Sequence, residues 1–528
     1  MGVNAGRRTE ERWRPRPAGI LALLVALLLV GWTLPAVAAG EVEVERARRV
    51  LEDRMAAVGI PGAALVVTSA GGPTAVEALG EAGEDRPVAS DTPFVIGSTS
   101  KSFTALAVMQ LVDDGLVDID QPVRRYVPEL ELAGAGDVDR ITVRHLLQQT
   151  SGLPGTAGGP VLKSAREGSV LEAVRELRGT APTAEPGATW QYSNANYVLA
   201  GLVVERAAGV PYAEHVERRI LEPLGMDRSA TTAEGAAELG VSTGHRLWFG
   251  ATLATGPTVR EGILAAGFIV STAEDMGRYL RMHLRGGVGD DGTRVVSAEG
   301  LRTMTAPGPE ARLGAWADGA DVRYAMGWFV GGPWQEPALL HPGNTPDSSA
   351  MITLLPERAI AIATLMNLSN EIPVPGNPSA TDRVSRNVVD AILGEPVDTG
   401  PSVRTFYALL DLVFLALVAA AAWGLARAVA ALRGGRPVRR PLLTGGGIGL
   451  RLVGVGVLLA LPGAAGYGWS SLPVWAPDLA VVVTVLAGLL LAAAAVRLAV
   501  LLRAGPVGFA TWRRSSSGSG SSPASRST

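Results

Sequence analysis

Three long apolar runs close the chain, at about 405–432, 446–468 and 476–502, and no other feature constrains its architecture as much. Each is long enough to cross a hydrocarbon core of about 30 Å as a helix. Asp411 and Asp478 lie near the starts of the first and third runs, Arg427 and Arg497 near their ends, and Arg451 near the start of the second. Arg433, Arg436, Arg439 and Arg440 fill the loop between the first two runs, and Arg503, Arg513 and Arg514 come after the third. If the runs alternate in direction, every arginine cluster falls on one side, which the positive-inside rule makes cytoplasmic. Tyr407, Tyr467, Trp469 and Trp475 then mark the outer interface. The expectation is three transmembrane helices over 405–503, reached through a linker at 396–404 and followed by a Ser-rich cytoplasmic tail, 504–528, of disordered composition. Buried helices of a soluble domain are the alternative.

The N-terminus agrees with that orientation. Arg7, Arg8, Arg12, Arg14 and Arg16 precede an apolar run, Ala18 to Ala39, that ends in Ala36-Val37-Ala38. Residues 1–39 read as a signal peptide removed after Ala38, or as an uncleaved signal anchor, and both place the domain after them outside the cytoplasm. The chain has no cysteine, so disulfides, thiolate metal sites and cysteine nucleophiles are excluded. A net charge of −3 lacks the basic excess of a nucleic-acid surface, and no nucleic-acid partner is expected. The histidines other than His341 are scattered without Glu partners at metal-ligand spacing, Asp137-Val138-Asp139 and Asp290-Asp291-Gly292 read as turns, and no phosphate loop is present. No metal and no cofactor are expected.

Residues 41–395 alternate apolar, polar, Gly and Pro segments as a globular domain does. Ala63–Ser69 and Thr74–Leu79 read as strands joined by Gly71-Gly72-Pro73, and Ala325–Val330, Ala350–Leu355 and Ala359–Met366 as later strands. The spacing predicts helices over Lys101–Asp114, Ala195–Ala208 and Ala380–Leu393, with the middle of the domain mainly helix and loop. Strands at both ends with helices between predict one mixed sheet built from the two ends of the domain, an α/β or α+β architecture.

Three motifs carry chemistry. Ser98-Thr99-Ser100-Lys101 stands at a helix start, where a three-residue spacing puts Ser98 and Lys101 on one face. A serine hydroxyl needs a base, and a lysine serves as one only when neutral, which burial and the positive helix end both favour. Only two lysines, Lys101 and Lys163, occur in the chain. Tyr192-Ser193-Asn194 offers a phenol for proton transfer and an amide that can bond both a lysine and a substrate carbonyl. In His341-Pro342-Gly343-Asn344, Gly343 permits close backbone approach, and the Asn344 amide can share an oxyanion with that of Ser98.

The order of these motifs, at 98, 192 and 341, resembles the serine β-lactamase and penicillin-binding-protein family, in particular class C β-lactamases and related D-aminopeptidases, carboxypeptidases and esterases. Phe94–Ala105, His145–Leu153 and Ala266–Met276 resemble further family segments, and the resemblance covers roughly 45–395. It implies a β-lactamase/transpeptidase-like domain, an antiparallel sheet flanked by helices with a helical subdomain. It implies that Ser98 is acylated, that Lys101 and Tyr192 manage protons, and that Asn194 orients Lys101 and substrate. His341, Gly343 and Asn344 would line the opposite wall and supply half of the oxyanion hole. Pro342 departs from the family's third motif, where Thr or Ser stands between a Lys or His and the Gly. A hydroxyl that meets a substrate carboxylate is missing, so a peptidase or esterase acting on a small molecule or peptide is expected rather than an efficient β-lactamase. A binding or sensor protein that kept the fold and lost turnover is the alternative.

Overall fold

The computed structural model describes residues 1–2 and 41–503, except 73, 135–137, 158–169, 257–258, 312–320, 370–378, 399, 401, 435–440, 465–468 and 470–471. The leader, the C-terminal tail, Pro73, Asp137, Lys163, Tyr467 and the loop arginines 436, 439 and 440 lie outside the described residues.

Helix α1 covers 41–58. An eight-stranded sheet is built from strands β1 (Gly62–Ser69), β2 (Ala75–Gly83), β3 (Arg86–Pro87), β4 (Arg323–Tyr324), β5 (Phe329–Val330), β6 (Leu339–Asn344), β7 (Ser349–Leu355) and β8 (Ile360–Met366), in the order β3-β2-β1-β8-β7-β6-β5-β4. The two ends of the domain meet where β1 pairs β8, from Ala63 opposite Met366 to Ser69 opposite Ile360. Every pairing in this sheet is antiparallel, as the family resemblance implies, and the mixed sheet expected from the strand pattern alone is corrected. The strand expected over Ala325–Val330 is instead a tight hairpin, β4 to β5. Its turn holds Gly327 at φ +75, where a Cβ would press on the backbone of Lys101 and Ser102.

β7 is buried along its whole length, which an alternating surface strand is not. Helix α4 (Ala273–Leu284) lies on one face, where a Cβ on Gly277 would stand 3.0 Å from Val66 Cγ2. Helix α5 (Ala380–Leu393) lies on the other, with Thr364 Oγ1 donating to Ser385 Oγ at 2.6 Å. Thr364 pairs with Leu65, the neighbour of Val66, so the two helices cover opposite faces. Between the strand groups, α2 (Ser100–Asp113) packs on α3 (Asn194–Ala208). Ser100 through Leu111 are all buried, so α2 is a core helix rather than a two-faced surface one.

His283, on α4, is 7% exposed, and neither ring nitrogen has a hydrogen-bond partner among the described residues. Its ring stands edge-on to Tyr279 and Trp328. Burial pushes its pKa down to about 3. The unfolded chain therefore takes up this proton first, and the stability present above about pH 6.5 is lost as pH falls from there toward 3. His283→Phe is expected to raise stability at pH 7 by about 1–3 kcal/mol, because two unsatisfied groups disappear. Urea unfolding at pH 7 and pH 4.5 reads both effects, the gain being larger at the lower pH.

The chain ends in helices α6 (Val403–Arg433), α7 (Pro441–Ala464) and α8 (Pro477–Arg503). Two of them, α6 and α8, are long and apolar enough to cross a membrane; in α7 the apolar stretch is the shorter Gly445–Leu461. Three such helices were expected, and two have that length of apolar sequence. A hairpin, His245–Trp248 and Ala251–Ala254, docks the domain at 41–395 on them. At its tip the Phe249 amide donates to Asp478 Oδ2 at 3.3 Å, and Arg246 Nη1 donates to the Val474 carbonyl at 3.4 Å. Tyr407 is buried against the same tip, where a Cβ on Gly250 would stand 3.1 Å from Tyr407 Cβ.

Candidate active site

The site forms where α2 begins. Gly97, at φ +54, turns the chain into a short 3₁₀ turn, Gly97–Thr99, that runs on into α2. The turn is pinned from both sides: the Thr99 hydroxyl donates to the Ile96 carbonyl, and the Ser100 hydroxyl to that of Gly97. Ser98 is left half-buried at the lip, with Lys101 fully buried one turn on.

Lys101 Nζ stands 2.9 Å from Ser98 Oγ, 2.8 Å from Asn194 Oδ1 and 2.6 Å from the Ala266 carbonyl. Burial holds its pKa well below the ordinary lysine value. A neutral amine has two N–H groups and one lone pair. The two oxygens that only accept, Asn194 Oδ1 and Ala266 O, take the two hydrogens, and the lone pair is left facing the one partner able to donate, the Ser98 hydroxyl. That is the polarity a base needs toward its nucleophile. The Tyr192 ring lies on the same amine, its centroid 4.9 Å from Nζ.

Strand β6 supplies the opposite wall by backbone contact. A Cβ on Gly343 would come within 2.1 Å of the Ile96 carbonyl and 3.0 Å of the Ser98 nitrogen. One on Gly97 would lie 2.7 Å from the Asn344 nitrogen. Two glycines thus bring the Ser98 and Asn344 amides onto adjoining backbones. The Asn344 side chain turns to the other face of the sheet, where Nδ2 donates to Asp382 Oδ1 at 3.1 Å. His341 is 1% exposed. Its Nδ1–H donates to the Pro342 carbonyl at 2.6 Å, which leaves Nε2 to accept from the Tyr324 hydroxyl at 3.2 Å. Burial pushes its pKa down to about 3, so the ring is neutral at pH 7. It sits behind an aromatic wall of Trp190, Tyr192, Tyr324 and Phe329.

Of the seven residues singled out, Ser98, Lys101 and Asn194 are joined by hydrogen bonds, Tyr192 stacks on the amine, and Gly343 and Asn344 adjoin the turn that carries Ser98. His341 is buried behind them and presents no cation. Sequence reasoning missed the supports. Gln149, at φ +60, accepts through Oε1 from the Ser193 amide at 3.0 Å and from Asn196 Nδ2 at 2.6 Å. The Ser151 hydroxyl donates to Asn196 Oδ1 at 2.5 Å. This network holds the start of α3, and with it Tyr192 and Asn194. The Ala266 carbonyl is aimed at Lys101 from a turn that contains Phe268 at φ +82, an uncommon conformation for a bulky residue. Both segments stand out in the sequence, but a carbonyl contact has no side-chain signature there. His145 caps the start of the helix Val143–Leu147 in a reciprocal pair of bonds with Thr142. Among the described residues no group of three or more His, Asp or Glu is placed to hold a metal ion.

An antiparallel sheet covered by helices on both faces, with a serine–lysine pair at the start of the central helix, defines a serine-hydrolase class of fold. The chain belongs to the beta-lactamase family, whose description, Beta-lactamase, matches residues 47–382. It is 29% identical over 316 residues to penicillin-binding protein 4 of Amycolatopsis lactamdurans, covering 58% of this chain and 81% of that one. It is 24% identical to Protein flp of Staphylococcus aureus. That match spans 60% of the strain COL protein and 59% of this chain, or 87% of the strain N315 protein and 83% of this chain. Among solved structures, an octameric penicillin-binding protein homologue from Pyrococcus abyssi superposes with TM-score 0.56 at 25% identity, over 67% of this chain and 78% of its own. D-amino acid amidase from Ochrobactrum anthropi SV3 superposes with the same TM-score at 24% identity, over 66% and 98%, a likeness of fold.

Proposed function

We propose that the chain is a membrane-anchored serine hydrolase that cleaves an amide or ester through an acyl-enzyme on Ser98. The observation that carries this reading is the set of three partners on a buried Lys101. In acylation the amine lone pair takes the Ser98 proton as Oγ attacks the carbonyl carbon, and the Ser98 and Asn344 amides hold the oxygen that gains charge. The proton then passes, with Tyr192 beside the amine, to the departing nitrogen or oxygen as its bond to the carbonyl carbon breaks. Water reverses the roles: it loses a proton to the same base, adds to the ester carbon, and Ser98 leaves with its hydrogen restored. A labelled fluorophosphonate is expected to mark the full-length protein and to leave Ser98→Ala unmarked. Equal marking of the two proteins would remove Ser98 as nucleophile, and an unmarked, inactive wild type would favour the sensor alternative.

Penicillin-binding proteins and a D-amino acid amidase are among the similar proteins, so D-amino-acid amides and cell-wall peptides are the first substrates to test. A neutral, buried His341 and a Pro342 without hydroxyl leave the wall unable to pair with a carboxylate. For a matched pair of substrates, an amide and the corresponding free acid beside the scissile bond, kcat/KM is expected to favour the uncharged partner by about tenfold or more, the scale of one charged contact.

The same reading makes α6, α7 and α8 three spans, with the arginine-rich ends cytoplasmic, the domain at 41–395 outside, and residues 1–39 as its export signal.

A further inference from the structure

The three C-terminal helices hold a concentration of charge for which the proposed hydrolase chemistry has no use. α6, α7 and α8 each carry one arginine within an apolar stretch, Arg427, Arg451 and Arg497, and the three converge. A Cβ on Gly447 would stand 3.4 Å from both Arg451 Nη1 and Arg497 Nη1, and one on Gly424 would stand 3.5 Å from Arg451 Nη2. Arg497 lies within electrostatic reach of both other guanidiniums. Arg427 rests on the Trp423 ring at 5.9 Å. Arg451 Nη1 donates to the Gly447 carbonyl at 2.6 Å, whereas Arg497 Nε is buried and has no partner among the described residues.

Among the described residues no carboxylate is paired with any of them, and the charges that act on Arg497 are those of the other two arginines. From residue 402 onward the sequence contains only Asp411 and Asp478. At 1.5 Å per residue these lie about 24 Å from Arg427 and about 28 Å from Arg497 along their own helices. Three like charges drawn together in apolar surroundings are costly without an anion. The two glycines, which have no side chain, leave room for the guanidiniums to meet between the helices. Arg427 and Arg497 each sit about 9 Å inside the end of their helix, at the depth where lipid phosphates and glycerol backbones lie. Planar guanidinium forks match phosphate oxygens in pairs, and a hydrated ammonium does not.

We propose that Arg427, Arg451 and Arg497 form a phosphate-binding site at the cytoplasmic ends of the three helices, occupied by the headgroup of an anionic lipid. The inference rests on the reading that these helices span the membrane, and it adds a ligand that neither the hydrolase site nor the helix lengths call for.

The test uses the full-length chain in a neutral detergent, with phosphatidylglycerol, phosphatidylcholine and inorganic phosphate as probes, and reads binding by native mass spectrometry and thermal melting. The wild type is expected to retain phosphatidylglycerol at least tenfold over phosphatidylcholine. Arg451→Gln and Arg497→Gln should erase that preference, and Arg451→Lys and Arg497→Lys should lose it several-fold while keeping the charge. In lipid-free detergent Arg497→Gln should melt no lower than wild type, because repulsion is relieved; a purely structural arginine would give a lower melting point. Equal retention of the two lipids with no protection by phosphate would overturn the site. Protection by inorganic phosphate alone would overturn the lipid as occupant. The membrane reading is checked apart from this. The chain has no cysteine, so Ser515→Cys is a unique label site. An impermeant maleimide should reach it only after permeabilisation, and labelling in intact cells would sink the orientation without touching the anion result.

Discussion

Lys101→Met is expected to lower kcat/KM for any accepted amide or ester by about 10³-fold or more, the range of a lost general base, or about 4 kcal/mol of transition-state free energy. The thioether fills nearly the volume of the lysine stem in a site where that side chain is fully buried. The far-ultraviolet circular dichroism should therefore be unchanged, and a loss of activity cannot be assigned to unfolding. The pH profile separates chemistry from packing. Because burial lowers the pKa of Lys101, the neutral, competent form grows as pH rises through that lowered value. Wild-type kcat/KM should rise with pH on its acid side, and the residual rate of the variant should lose that limb. Turnover surviving Lys101→Met with the limb intact would assign the base elsewhere and break the proton scheme.

Gly343→Ala is expected to reduce kcat by on the order of 10²-fold, the scale of one displaced oxyanion donor. The cause is a single methyl group. Its carbon would lie 2.1 Å from the Ile96 carbonyl oxygen and 2.9 Å from the Thr99 nitrogen, both backbone atoms at the turn that carries Ser98. Neither can rotate away as a side chain would, so β6 and the turn must separate, and the Asn344 amide leaves its place beside Ser98. Overpacking of this kind also costs about 1–3 kcal/mol of stability. The expected pattern is lower kcat, lower melting temperature and continued, slower fluorophosphonate labelling, because the atoms nearest the added methyl are backbone atoms and the Ser98 and Lys101 side chains are not among them. Full activity in this variant would place the oxyanion on other donors.

Helices and strands governed by local pattern were legible in the sequence: β1, β8, α2, α3 and α5 fall within one or two residues of their expected bounds. The pair Ser98 and Lys101 was legible for the same reason, since one helical turn fixes their separation without help from the rest of the fold. The register of the sheet was not, and neither was the break at Gly327, which is imposed by the backbone of α2 packed against it. The state of His341 was not legible either. Its letter suggests a polar wall group, but Tyr324 and the Pro342 carbonyl fix its tautomer and burial removes its charge.

By itself the sequence determined the one-turn spacing of Ser98 and Lys101, the apolar runs that end the chain, and the exclusion of thiol chemistry. Those properties reside in composition and short spacing. Only the tertiary structure decided that Ala266 lends a carbonyl to Lys101, that Gln149 holds the loop of Tyr192 and Asn194, and that three arginines from three helices meet. Such contacts join backbone atoms and distant segments, and their energy depends on distance in space, which short sequence spacing does not record.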